Sequence, residues 1–140
     1  MHLTYVALCF LAWGATSQND LFLLQVGKCL LFGCTVSFSC APLFDEHAFE
    51  RMRRRHGWST TTFWLGHIAL HILPLILVWK EQVEVVHGFT AAAAHVTWYW
   101  TASRGTWSLD DVYTPIDGGV RTWWCLTCLA LACEMGAVYL

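Results

Sequence analysis

His67 and His71 stand four residues apart in an apolar run, so on a helix they share one face. Thr60 and Trp64 extend the same stripe. Pro74 follows, and its missing N–H frees the Leu70 carbonyl. His87 and His95 share a second face with Ala91 between them, and Glu84, one turn earlier, is placed to orient His87. Thr127, Ala130 and Glu134 form a third stripe. Ionisable side chains at membrane depth are costly and face a bundle interior rather than lipid. Turned towards each other, these stripes gather His67, His71, His87, His95 and Glu134 into a polar core.

Such a core has several uses. Histidines can hydrogen-bond helix to helix, for about 0.6–2 kcal/mol each, as in a non-catalytic structural or partner-binding membrane subunit. Histidines on facing antiparallel helices can ligate haem iron, with His71 and His95 as the pair, and imidazole also suits zinc, copper or iron. A histidine beside a hydroxyl can instead activate a nucleophile, because a hydroxyl is too weak an acid to act alone. Thr4, Thr60, Thr61, Thr62 and Thr127 are the candidate hydroxyls, and the substrate would be a lipid ester reaching them through the bilayer. Hydrolysis of that kind needs no cofactor.

The elements that must position these residues follow from composition. Hydrophobic residues make up 56% of the 140 and charged residues 13%, against roughly 25% charged in a soluble domain. Mean hydropathy is +0.46. One domain, residues 1–140, is expected, an all-α polytopic transmembrane helix bundle. A net charge of −2 excludes nucleic-acid binding through a broad basic face. The seven cysteines lie in apolar stretches and read as small soft side chains. Cys125 and Cys128 form a CxxC with no second pair to complete a zinc site. Asp110, Asp111 and Asp117 lack the spacing of a calcium loop.

Spans of about 20 apolar residues are expected at Met1–Ser17, Leu21–Phe44, Ser59–Trp79, Val83–Ser103 and Thr122–Leu140. If Met1–Ser17 is a signal peptide, four remain, although no basic segment precedes its apolar run. Lys28 falls inside the second span and is expected to snorkel to the interface, unless that span begins at Cys29. All nine tryptophans lie at or near span ends or in loops, as interfacial anchoring requires. The loops Asp45–Trp58 and Arg104–Arg121 carry six of the eight basic residues, which places them in the cytosol by the positive-inside rule. The Arg51–Arg55 run sets topology and touches anionic headgroups. Membrane lipids are thus the expected partners, and the small-residue run Ala91–Ala94 allows close association with another helix, in this chain or in another membrane subunit.

Trp64–Leu77 reads W-L-G-H-I-A-L-H-I-L-P-L-I-L. This resembles the histidine helix of the androgen-induced, androgen-dependent family of small membrane threonine hydrolases, with its W-L-x-H, second histidine and L-P. His2-Leu3-Thr4-Tyr5 resembles the Leu-Thr-aromatic start of the family's nucleophile helix. Gly105-Thr106-Trp107 and Val112-Tyr113-Thr114-Pro115 resemble its Gly-x-Trp and Val-Tyr-Pro loop. The features agree in order over nearly the whole chain. The two histidines are four apart here and three apart in the family. The resemblance implies cleavage of fatty-acid esters of hydroxy fatty acids, with Thr4 as nucleophile, His71 as base and His67 as its neighbour.

Overall fold

The computed structural model describes residues 3–17, 20–105 and 119–140. The Thr106-Trp107 and Val112–Pro115 motifs and Asp110, Asp111 and Asp117 lie outside them. The described residues form six helices and no strand, in keeping with the all-α expectation.

Helix α1 (Leu3–Thr16) and helix α2 (Leu21–Phe44) form an antiparallel pair. Leu3, Ala7, Leu11 and Gly14 make one buried stripe along α1, the spacing expected of a helix with a single packed face. Glycine allows the close approach. A Cβ on Gly14 would lie 2.8 Å from the Leu24 amide nitrogen, and one on Gly27 would lie 3.0 Å from the Leu11 side chain. Asp20 caps α2 by accepting from the Leu23 N–H at 3.3 Å, satisfying one of the free donors of the first turn. The bounds of α2 are those expected from the hydropathy pattern. It is the central helix, packed against α1 and against the two C-terminal helices.

Helix α3 (Ala48–Arg55) lies inside the stretch expected to be a polar loop. Two of its apolar side chains find a floor: Ala48 and Met52 are buried against Ala41, Phe63 and Leu126. Its outward face carries the arginines, with Arg51 paired to Asp45 and Arg54 to Glu50. Gly57, at φ +64°, follows it in the left-handed region that favours glycine.

Helix α4 (Thr60–Leu77) starts at Ser59, whose Oγ accepts from the Thr62 N–H at 3.0 Å. Its middle, Ile68–Ile72, is a π-turn in which the Leu73 N–H donates to the Ile68 carbonyl, five residues back. Pro74 has no N–H for the Leu70 carbonyl, so the regular ladder is already broken where the wider turn sits. Helix α5 (Val85–Ala102) and helix α6 (Gly119–Gly136) follow, and a 3-10 turn, Ala137–Tyr139, closes the chain.

Lys28 reaches the chain just past the end of α4. It is 1% exposed, and its ammonium donates to the carbonyls of Trp79 at 2.9 Å and Glu81 at 2.7 Å, beyond the end of α4. The charge is buried because two backbone acceptors that the helix end leaves free replace its water.

Two stretches are long and apolar enough to cross a membrane, Leu21–Leu43 and Thr60–Leu77; the apolar helices Leu3–Thr16 and Cys125–Tyr139 are shorter. The two long stretches differ in setting. Leu21–Leu43 is 56% buried within the protein, whereas Thr60–Leu77 is 11% buried and presents Leu65, Ile76 and Leu77 outward.

Candidate functional site

A largely apolar cavity of about 160 Å³ opens between the helices, roughly ten times the 10–15 Å³ that a single water requires. Five residues singled out by type and spacing line it: Thr4 from α1, His67 and His71 from α4, His95 from α5 and Thr127 from α6. Leu3, Leu70, Trp98 and Leu126 are among its apolar walls, and Met52, His56 and Trp58, on or just after α3, also border it.

His67 and His71 are set by an aromatic platform on α2. Their rings stack on Phe38 with centroids 4.7 and 5.1 Å away and planes 21° and 23° apart, and they lie 5.0 Å from each other. Phe49 and Phe63 pack against the same ring, at 5.0 and 5.9 Å. The π-turn contributes to this arrangement. His71 lies within the wide turn and His67 immediately before it. The Thr35 hydroxyl donates to the His71 carbonyl at 3.4 Å, tying the turn to α2. The Nδ1 atom of His67 is buried with no hydrogen-bond partner among the described residues.

His95 is held differently. Its Nδ1 lies 2.6 Å from Glu134 Oε1, and the two side chains are 7% and 0% exposed. With Glu134 ionised, its carboxylate accepts, so Nδ1 carries the proton and Nε2 keeps its lone pair. The pair exists because α2 and α6 come together at Gly33. A Cβ there would stand 2.6 Å from Glu134 Cγ and 2.8 Å from both Glu134 Oε1 and the Ala130 carbonyl. Glu134, Ala130 and Thr127 all turn inward, as their common stripe requires. The hydroxyl of Thr127 and the Oε2 atom of Glu134 have no hydrogen-bond partner among the described residues.

Thr4 is 8% exposed, and it lines the cavity together with Cys34, the residue after Gly33.

Other expected members of the polar core lie elsewhere. His87 does not join it: its Nδ1 lies 2.5 Å from Gln25 Oε1, and its ring sits edge-on to Phe22. Glu84 does not orient His87 through its carboxylate; its backbone N–H donates to the same Gln25 oxygen, at 2.9 Å. Thr60, Thr61 and Thr62 are exposed at the start of α4. Cys125 and Cys128 are free and exposed, and no group of three or more metal-ligating side chains occurs among the described residues. Gln25, Gly33, Cys34 and Phe38 carried no sequence signal, since each acts only through a neighbour from another helix.

The arrangement offers an apolar chamber with two buried threonines, four imidazoles and a carboxylate behind one of them. No protein family, curated protein or solved structure matches the chain.

Proposed function

We propose that the chain is an integral membrane hydrolase that cleaves lipid esters, its helices forming a polytopic bundle of about five spans. Thr4 is the nucleophile and an imidazole of the cavity is its base. The observation that carries this is the convergence of Thr4, His67, His71 and His95 from three separate helices on one apolar cavity. A hydroxyl and a base in one desolvated chamber are what nucleophilic ester cleavage needs, and the apolar walls suit an acyl chain. The outward apolar face of α4 supports a lipid setting: Leu65, Ile76 and Leu77 are each more than 60% exposed while Lys28 and Glu134 are buried. The Arg51–Arg55 run then lies at the cytosolic interface beside anionic headgroups.

In the reaction, the base takes the Thr4 proton as Oγ bonds to the ester carbonyl carbon. The ester C–O bond then breaks, and the base returns the proton to the departing alkoxide. Water, deprotonated by the same base, releases the fatty acid and restores Thr4.

The test is labelling of the detergent-purified protein by a long-chain fluorophosphonate, in which Thr4 Oγ displaces fluoride at phosphorus. Wild type is labelled at Thr4, and Thr4→Ala loses the label. Equal labelling of the two proteins, or none of wild type, overturns the proposal. A Soret band in the purified protein would assign the cavity to haem instead.

A further inference from the structure

Four imidazoles line the cavity; His56 is exposed and stacked on Trp58, and the structure distinguishes the other three. We infer that His95, oriented by Glu134, is the general base, and that Glu134 is its positioning residue; this rests on the hydrolase proposal above.

The first argument is protonation. A base must present a lone pair to the hydroxyl, and its other nitrogen must be held so that the correct tautomer persists. With Glu134 ionised, His95 meets both conditions: Nδ1 lies 2.6 Å from the Glu134 carboxylate, and Nε2 is the acceptor of a ring that lines the cavity. His67 and His71 are set by stacking on Phe38, and the buried Nδ1 of His67 has no hydrogen-bond partner among the described residues.

The second argument is charge. Glu134 is fully buried, and His95 is its one ion-pair partner among the described residues. With Glu134 ionised, the transfer of the Thr4 proton to His95 turns a lone buried anion into a neutral imidazolium–carboxylate pair, which an apolar site favours. The carboxylate thereby stabilises the state in which the threonine has lost its proton, as the acidic member of a hydrolase triad does.

The experiment is the rate of fluorophosphonate labelling at Thr4 in full-length, detergent-purified protein. His95→Ala lowers it by about 10²- to 10⁴-fold, and added imidazole restores part of the loss, which a merely structural defect would not allow. Glu134→Gln keeps an acceptor for Nδ1 but loses the charge, and lowers the rate by at least about tenfold. His71→Ala loses less than His95→Ala, and His87→Ala, outside the cavity, labels as wild type. If His95→Ala does not fold, His95→Gln, which keeps a donor for Glu134, is measured in its place. Labelling of the His95 variant at the wild-type rate, or a larger loss in His71→Ala than in His95→Ala, overturns the assignment of His95 while leaving the hydrolase standing. Absence of Thr4 labelling in wild type overturns the hydrolase itself.

Discussion

Lys28 and Gly33 are one and a half turns apart on the same helix, and each holds the bundle by a means that its residue type alone does not reveal. Lys28 donates to two carbonyls beyond the end of α4. Lys28→Met keeps the apolar stem and removes both donors. Each orphaned carbonyl then costs about 1–3 kcal/mol, so the melting temperature in detergent should fall well below that of wild type; an unchanged value would show that water replaces the ammonium. Gly33 is limited by space. In Gly33→Ala the new methyl meets the Ala130 carbonyl at 2.8 Å, which is backbone and cannot swing aside. Overpacking of this kind costs about 1–3 kcal/mol. It also pushes Glu134 away from His95, so stability and Thr4 labelling should fall together. Gly66→Ala is the contrast, because nothing lies within 4 Å of the added carbon. Helix propensity then gains up to about 1 kcal/mol, and the melting temperature should rise slightly.

At the scale of elements, α3 and the π-turn of α4 are the two departures from a plain set of apolar helices. Ala48–Arg55 is charged yet rich in helix formers, and the apolar floor offered by Ala41, Phe63 and Leu126 gives its one apolar face a place to pack. The π-turn amounts to one extra residue in a regular helix. Deleting Ala69, which lies exposed within Ile68–Ile72, should therefore relax the turn to α geometry with the flanking segments near their present faces. The resulting His–His spacing is three, the value in the family that the sequence resembles. Deleting Val96 from the regular helix α5 instead rotates every later side chain by about 100° and shifts it by about 1.5 Å. The Ala69 deletion should melt within a few degrees of wild type, and the Val96 deletion should fail to fold. Equal loss in both would mean that the wide turn is not a single-residue insertion.

The molecule as a whole places apolar side chains outward and several polar ones inward. Tyr139, Leu43 and Leu77 are among its most exposed side chains, while Lys28, Ser103 and Glu134 are among its most buried. Burial of this sense suits a hydrocarbon surround better than water. The protein should stay with the membrane pellet under alkaline carbonate extraction. Leu65→Arg and Ile76→Arg, on the outward face of α4, should reduce insertion, because arginine at mid-span costs about 2.5–3.5 kcal/mol. Release of wild type into the carbonate supernatant would argue for a soluble bundle instead.

The residue pattern by itself determined the all-α class and most helix limits, because hydropathy, caps and breakers act over a few neighbours. The bounds of α2 came out to the residue, and α4 and α5 fall within a few residues of the expected Ser59–Trp79 and Val83–Ser103. The inward stripes of Thr127 and Glu134, and of His67 and His71, were legible for the same reason, since one-helix periodicity is local. What only the tertiary structure decided was which stripes meet. His87 turned to Gln25, Lys28 reached the end of α4, and Thr4 came to line the cavity with Cys34. Those outcomes depend on the depth and rotation of each helix, which are set by contacts such as Gly33 against Glu134 between residues a hundred positions apart. Long-range packing of that kind leaves no mark in the sequence near either partner.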